Sequence, residues 1–383
     1  MTSLPDRSPS PRPVIPVYRP DLSGNERLYV MECLETNWIS SIGAFIPRFE
    51  AAVARATGVS HAIAVSNGTV ALHLALHCLG IGPGDEVIVP TFTFIASVNT
   101  IAQTGAVPVF ADSLPSDWTL DPADVERRIT PRTKAIMAVH LYGAACDMPA
   151  LLAIARRHNL KIVEDCAEAF GTTLGGRHVG TFGDVGAFSF FGNKTVTTGE
   201  GGMVICNDDA LATTLRIAKG QGQSPDRRYW HECLGFNYRM TNIAAAIGLA
   251  QMERLPATFA RKRAIAAEYR ALLTGMPVTF QQMPDTVDPM LWLLTVLLPL
   301  GMDRERVIAD MAAQSVETRP VFNCAHEMKM YASGAYGRDA FPAAAAISVR
   351  GISLPSYPSL SRSEMEDVVR SLRNALAAQS CLG

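Results

Sequence analysis

AFSFFGNKTVTTGEGGMVIC, residues 187–206, places a single lysine, Lys194, between two apolar runs. The aromatic run before it is typical of a strand, and a loop rich in threonine and glycine separates it from the second run. An ammonium group costs free energy to remove from water unless it is paired or used in chemistry. We therefore expect Lys194 to have either a buried partner or a chemical role.

Short apolar runs of this kind alternate with helical patterns along most of the chain. Six strand candidates precede the change of pattern near Gln251, at 61–66, 85–90, 107–112, 135–143, 160–168 and 186–191. Strands that alternate with helices predict an α/β fold with a mostly parallel sheet, covered on both faces.

The division of the chain follows from the same patterns. We predict a large domain over residues 21–255 and a smaller C-terminal α/β domain over residues 256–383. The first twenty residues are rich in proline and serine, which predicts a flexible leader over residues 1–20.

Composition excludes several classes of protein. The chain has 383 residues and a formal charge of -2, so no broad basic surface for nucleic acid is expected. Its eight cysteines form no paired motif, which argues against a zinc site or a disulfide framework.

The apolar segment at 290–301 is too short to span a bilayer, so we interpret it as a buried strand. No signal peptide is evident. We predict a cytoplasmic protein without a metal, membrane or nucleic-acid partner.

A lysine can form a Schiff base with a carbonyl, including that of pyridoxal phosphate, but such a site needs further groups. Asp165 ends the apolar strand in KIVEDCAEAFG, and that end of a parallel sheet faces the ligand crevice. A carboxylate there would keep the pyridine nitrogen protonated. For Asp165 alone, a helix N-cap is the better interpretation. Its neighbours Glu164 and Glu168 are also acidic, and Glu164 is equally compatible with a solvent-exposed position.

The cofactor phosphate and ring also have candidate partners. VSNGTVALHLAL places Gly68 and Thr69 at a turn from strand to helix, where free N–H groups favour an anion, although this is also an ordinary capped turn. Ser189 adds a hydroxyl from an adjacent strand. Phe92 and Phe94 are candidates for a ring contact, and for each alone core packing is the better interpretation. No Walker or dinucleotide-binding motif is present.

EDCAEAFG followed by GDVGAFSFFGNKTVTTGEGGMV resembles the sugar-nucleotide aminotransferases of the DegT type. These are pyridoxal phosphate enzymes with the aspartate aminotransferase fold, fold type I. The resemblance covers nearly the whole chain, with SNGTVALHLAL, GFNYRMTNIAAAIGLAQMERL and ISLPSYPSL in the expected order. The segments GQGQSPDRRYWHECLGFNYRMTN and FFGNKTVTTGEGGM are similar to the members of the family that make GDP-perosamine.

The resemblance implies a role for each matching residue. Lys194 would hold the cofactor and then shuttle a proton, and Asp165 would pair with the ring nitrogen. The other cofactor-binding positions that it implies are Gly68, Thr69, Phe94, Glu168, Ser189 and Asn237. Phe94 would stack on the ring, and Asn237 would reach the phosphate across the interface of a homodimer with composite sites.

The resemblance also implies a reaction in deoxyamino sugar biosynthesis. L-glutamate would give its amino group to a nucleotide-linked 4-keto-6-deoxy sugar, with GDP-4-keto-6-deoxy-D-mannose converted to GDP-perosamine. A lysine at position 194 favours transamination, because related dehydratases carry histidine there. The segment LWLLTVLLP is unusually apolar for the family, and Asn323 and Cys324 also depart from its pattern. A 3-keto or dTDP- or UDP-linked sugar, a dehydratase or other lyase, and a non-enzymatic cofactor-binding regulator stay open.

Overall fold

The computed structural model describes residues 13–332 and 340–380, and its largest sheet has seven strands. These are β1 (His61–Val65), β2 (Glu86–Pro90), β3 (Val107–Ala111), β4 (Thr133–Val139), β5 (Lys161–Asp165), β8 (Val185–Ser189) and β9 (Gly202–Cys206). Their order is β1-β9-β8-β5-β4-β2-β3, and β9 alone runs antiparallel to its two neighbours. The predicted α/β fold with a mostly parallel mixed sheet is confirmed.

Helices cover both faces of this sheet. In the N-terminal part of the chain they are α1 (Glu26–Glu35), α2 (Phe45–Thr57), α3 (Gly68–Cys78), α4 (Ile95–Gln103), α5 (Pro122–Arg127), α6 (Met148–His158), α7 (Asp209–Ala218) and α8 (Asn242–Glu253). Alternate strand residues enter different cores: Ile63 belongs to the core that contains residues of α3, α4 and α7, whereas Ala64 belongs to the core that contains residues of α2 and α8. Because successive side chains of a strand point to opposite faces of the sheet, a short apolar strand can pack against helices on both faces.

The C-terminal part of the chain has a sheet of its own. It contains β10 (Thr279–Phe280), β12 (Leu294–Leu297), β13 (Arg319–Pro320) and β14 (Gly351–Leu354), all antiparallel, in the order β10-β12-β14-β13. The helices here are α9 (Leu255–Leu272), α10 (Arg304–Ala313), α11 (Pro342–Arg350) and α12 (Arg362–Ser380). Ser361 caps α12, because its hydroxyl accepts the Glu364 N–H while the Glu364 carboxylate accepts the Ser361 N–H.

A third, three-stranded sheet crosses the predicted domain boundary. It joins β6 (Thr173–Leu174) and β7 (Arg177–His178) to β11 (Val287–Asp288), in the order β11-β6-β7. The predicted boundary between residues 255 and 256 lies at the start of α9, which begins at Leu255. The division into two domains stays a prediction.

Part of the predicted leader over residues 1–20 contacts the rest of the protein. Residues 1–12 lie outside the described part of the chain, but Ile15 and Val17 are buried. The Ile15 N–H donates to the Ser315 carbonyl at 2.9 Å, and the Val17 N–H donates to the Glu317 carboxylate at 3.1 Å. Ile15 and Val17 thus pack against the C-terminal part of the chain, and the flexible leader over residues 1–20 stays a prediction.

Helices of sufficient length and apolar content to cross a bilayer are absent from the described residues. The apolar segment at 290–301 contains β12, as the interpretation of a buried strand predicts.

Candidate active site

A cavity of about 900 Å³ opens at the carboxyl ends of β5 and β8. Seven of the eight predicted site residues line it, namely Gly68, Thr69, Phe94, Asp165, Glu168, Ser189 and Lys194. They come from separate strand ends and turns, which a parallel sheet brings to one edge. The eighth, Asn237, lies outside the cavity of this chain.

Lys194 lies in a tight turn after β8, in which its N–H donates to the Phe191 carbonyl at 2.9 Å. Its side chain is 13% exposed, with Nζ 3.9 Å from Glu168 Oε1. Burial lowers the pKa of the Lys194 amine, although the charges of Glu168 and Asp165 oppose this. A lowered pKa makes the neutral, nucleophilic amine more accessible near neutral pH.

Asp165 is the last residue of β5, and its buried carboxyl group faces the cavity. Oδ2 accepts the Ser97 hydroxyl at 2.7 Å, and Oδ1 accepts the Ala167 N–H at 3.0 Å. Burial raises the pKa of Asp165, and these hydrogen bonds oppose the rise. The helix N-cap interpretation is wrong, because the next regular element after β5 is the strand β6.

Glu168 lies beside the lysine. Its Oε2 accepts the Tyr142 N–H at 2.9 Å. Burial raises the pKa of Glu168 to about 7, while the neighbouring Lys194 charge acts in the opposite direction. A carboxyl group with such a pKa can share a proton with the amine, which suits a site for proton transfer.

The turn between β1 and α3 forms a candidate anion site. The Asn67 side chain caps the helix by accepting the Val70 N–H at 2.9 Å. Within the described chain, the Gly68 and Thr69 N–H groups donate to no acceptor. A Cβ on Gly68 would lie 2.7 Å from the Ser189 Cβ, so only glycine allows Ser189 to approach this closely. Free N–H groups, a hydroxyl and the helix N-terminus together suit a phosphate.

The two aromatic candidates have different environments. Phe94 is 55% exposed and lines the cavity, with its ring 5.7 Å from that of Phe322. Phe92 is fully buried, so core packing is the correct interpretation for it. The ring of Phe94 is available to a ligand, and its predicted stacking role stays a prediction.

Asn237 is exposed, and its Oδ1 accepts a hydrogen bond from Arg239 at 3.3 Å. Since it does not line the cavity of its own chain, its predicted phosphate contact requires a second copy of the chain. That role also stays a prediction.

Sequence reasoning missed several residues that contact this site. Ser97 follows Phe94 by one helical turn. This spacing could have predicted that the Ser97 hydroxyl lies at the same cavity as Phe94. Trp292 packs against Lys194, and Asn193 Oδ1 is buried without a hydrogen-bond partner in the described chain. No spacing pattern links Trp292 to the lysine turn, because its hydrogen-bond partner there, Asn193, is 99 positions distant in sequence.

Glu164 is fully buried, so the solvent-exposed alternative is wrong. Its carboxylate accepts the N–H groups of Gly180, Phe182 and Gly183 at 2.6 to 2.7 Å and contacts His140 Nε2 at 3.0 Å. Possible ligand atoms of Glu164, His140 and Cys166 lie within 4.8 Å of one another. Because the Cys146 N–H donates to His140 Nδ1, Nε2 carries the hydrogen that the carboxylate accepts. This polar network links β5 to the loop before β8.

The residues around the cavity fit pyridoxal phosphate. They offer a buried amine at Lys194, a carboxylate at Asp165 and an anion site at Gly68. The unpartnered Asn193 Oδ1 leaves an acceptor for a ligand donor. A buried amine opposite a carboxylate matches the aldehyde and pyridine nitrogen of this cofactor.

Comparison with known proteins agrees with this geometry. The family model of the DegT/DnrJ/EryC1/StrS aminotransferase family matches residues 20–373. GDP-perosamine synthase of Caulobacter vibrioides is 50% identical over 95% of this chain and 99% of its own length. The enzyme of the same name from Escherichia coli O157:H7 is 50% identical over 94% of this chain and 97% of its own length.

Solved structures give the same result. The PLP form of the putative sugar aminotransferase Spr1654 from Streptococcus pneumoniae has a TM-score of 0.90 and is 26% identical. The similarity covers 95% of this chain and 99% of that structure. The chain belongs to the DegT/DnrJ/EryC1/StrS aminotransferase family.

Proposed function

We propose that this chain is a pyridoxal phosphate-dependent aminotransferase that converts GDP-4-keto-6-deoxy-D-mannose to GDP-perosamine, with L-glutamate as amino donor. The identity of 50% to a GDP-perosamine synthase over 95% of the chain carries the choice of substrate. The choice of chemistry is supported by Lys194 and Asp165, which line one cavity.

Pyridoxal phosphate, when bound, supplies a carbonyl that takes up the amino group and a ring that withdraws electrons from it. The N–H groups of Gly68 and Thr69 and the hydroxyl of Ser189 would bind its phosphate. Asp165, held by Ser97, would pair its negative charge with the ring nitrogen.

Lys194 would perform the proton transfers of both half-reactions. Its Nζ would accept the proton that leaves the α-carbon of glutamate, and in the second half-reaction it would deliver a proton to carbon 4 of the sugar. Burial lowers the pKa of this amine, so its ammonium form returns a proton more readily than that of an exposed lysine. Glu168, 3.9 Å away, would hold the ammonium form between these steps.

The proposed reaction is tested with purified protein, pyridoxal phosphate, L-glutamate and a panel of nucleotide keto sugars. We expect a GDP-linked amino-deoxy sugar, identified by mass spectrometry, and one equivalent of 2-oxoglutarate. A preference for a dTDP- or UDP-linked or 3-keto sugar would move the proposal to that substrate. Ammonia release without a requirement for glutamate would indicate a lyase, and no turnover of any sugar would favour a regulator.

We also propose a homodimer with composite sites, because Asn237 is exposed outside its own cavity. Mixed dimers of Lys194→Met and Asn237→Ala chains should regain one intact site and hence part of the activity that each parent lacks. Light scattering gives the oligomeric state independently. The expected cytoplasmic location and the absence of a nucleic-acid partner stay predictions.

A further inference from the structure

Trp292 contacts the lysine turn through both its ring face and its ring N–H. The Lys194 Nζ lies 3.7 Å from the centroid of the indole ring. The indole N–H donates to the Asn193 main-chain carbonyl at 2.8 Å. One side chain from the C-terminal part of the chain thus fixes both the amine and the peptide next to it.

The indole is itself held firmly. It is 7% exposed and stacks with the rings of Tyr142 and Phe322, with interplanar angles of 17° to both. The Lys262 ammonium donates to the Trp292 carbonyl at 3.0 Å. Such support from several elements fixes a side chain well enough to position a reacting group.

We propose that Trp292 is a further catalytic residue, whose indole face binds the Lys194 ammonium whenever the amine is free and whose N–H fixes the turn that carries it. The proposal rests on the proposed function for its catalytic meaning, because only a lysine that is repeatedly released needs such a site. Trp292 forms no covalent bond and transfers no proton.

The physical basis is the attraction between a cation and the negative face of an indole. Burial disfavours the charged amine, and the indole face offsets part of that cost without adding a titratable group. A desolvated contact of this kind corresponds to about a tenfold change in the protonation equilibrium. The amine therefore keeps enough affinity for a proton to accept one from the substrate.

Other charged and titratable groups near the amine come from several elements. Glu168 and Asp165 favour the ammonium form. Tyr18 donates its hydroxyl to the Lys194 carbonyl at 2.7 Å, and Lys262 donates to the Trp292 main-chain carbonyl at 3.0 Å. Glu200, Arg319 and Tyr142 also line the cavity. A test must therefore change the indole and leave all of these groups in place.

Fluorinated tryptophan meets this condition, because fluorine weakens the negative ring face while the shape of the side chain is kept. The chain has four tryptophans, which can be replaced together during expression. In cofactor-free protein, the rate at which each lysine reacts with acetic anhydride is followed against pH by mass spectrometry. We expect the apparent pKa of Lys194 to fall stepwise with fluorination, by about 1 in total, while that of the exposed Lys161 stays constant.

The matched control is the same labelling in Trp292→Phe protein, where fluorination of the other three tryptophans should leave the pKa of Lys194 unchanged. The Trp292→Leu variant separates charge from bulk. If the indole face binds the ammonium, the pKa of Lys194 should be lower in this variant. If the indole only excluded water, its removal would raise the pKa of Lys194. No change with fluorination, or a rise in Trp292→Leu, would overturn the proposal.

The role of the indole N–H has its own test in the Trp292→Phe variant, which keeps a ring face but not the donor. We expect the pKa of Lys194 to change by less than half as much as in Trp292→Leu, and kcat to fall several-fold with KM for glutamate unchanged. Equal pKa changes in the two variants would contradict the assigned role of the face. Labelling needs neither cofactor nor sugar, so an incorrect substrate would leave its result unaffected.

Discussion

Glu164 and Asp165 are successive residues of β5, and both carboxyl groups are buried, yet the structure holds them differently. Glu164 accepts hydrogen bonds from four groups, three of them main-chain N–H groups, and it faces away from the cavity. Asp165 accepts two and faces into the cavity. The hydrogen bonds of the Glu164 carboxylate are all made within the protein, whereas the Asp165 carboxylate can still accept a hydrogen bond from a ligand.

The same difference distinguishes other polar groups of the molecule. Lys194 has one acidic neighbour at 3.9 Å and an aromatic face, with no close hydrogen-bond acceptor for Nζ in the described chain. A buried polar group with too few partners is costly to folding and is retained where it serves a ligand or a reaction.

The largest effect is expected from Lys194→Met, which removes the amine and keeps the bulk. Amino transfer should fall by at least about 10³-fold, because no other lysine of the described residues lines the cavity to accept the proton. Lys161→Met is the control, since Lys161 is exposed and pairs with Asp184 on the surface. Retention of a tenth of the activity by Lys194→Met would contradict the assigned role.

Asp165→Asn should lower kcat by about 10²-fold or more, because the amide cannot hold a positive charge on the ring nitrogen. Both hydrogen bonds of the position can be kept, since the Ser97 hydroxyl can accept as well as donate. The unfolding free energy of the cofactor-free protein should stay the same or rise. Urea unfolding and single-turnover kinetics measure the two quantities.

Glu164→Gln should show the opposite pattern. In either orientation of the new amide, its NH₂ group would face two hydrogen-bond donors, because each carboxylate oxygen of Glu164 has two donors. The unfolding free energy should therefore fall by about 3 kcal/mol. The rate per folded molecule should change less than in Asp165→Asn. If Glu164→Gln lowered activity without loss of stability, the comparison between the two carboxylates would fail.

Gly68→Ala should weaken cofactor binding by about tenfold, because the new Cβ would lie 2.7 Å from the Ser189 Cβ and move the anion site. Equilibrium titration with pyridoxal phosphate measures this. Gly82→Ala is the matched control, since its nearest neighbour would be an oxygen at 3.8 Å. Equal affinity in both variants would exclude this turn as the phosphate site.

The smallest effect concerns Lys262, a buried lysine whose ammonium has the Trp292 carbonyl as its acceptor. Burial lowers the pKa of Lys262 from 10.5 to about 7. The unfolded chain therefore binds this proton at a pH where the folded chain does not, and stability rises with pH between these two values. Relative to Lys262→Met, the unfolding free energy of the parent protein should increase by about 1 kcal/mol per pH unit. Parallel stability curves from pH 7 to 10 would contradict this.

The sequence predicted most of what depends on local order along the chain. The period of the apolar runs gave the mostly parallel sheet, and the turn at Gly68 and the end of β5 followed from it, because parallel strands bring their carboxyl ends to one edge. The resemblance around Lys194 then supplied roles for these positions.

What the sequence could not predict depends on contacts between distant segments. The pleat of β5 and the packing of the neighbouring loops decide whether Glu164 or Asp165 faces the cavity. The sequence does not predict how those loops pack. Trp292 reaches Lys194 only because β12 begins beside the lysine turn. The contact of Tyr18 with the Lys194 carbonyl likewise depends on how the N-terminal segment packs against the C-terminal sheet.

The central claim is that Lys194 and Asp165 perform amino transfer with pyridoxal phosphate. Its most direct test is the visible absorption spectrum of the cofactor-loaded protein, before and after addition of L-glutamate without sugar. We expect the band of the lysine-bound cofactor to be replaced by that of pyridoxamine phosphate, with one equivalent of 2-oxoglutarate, and we expect neither change in Lys194→Met. A band that glutamate leaves unchanged, or protein that takes up no cofactor, would contradict the claim.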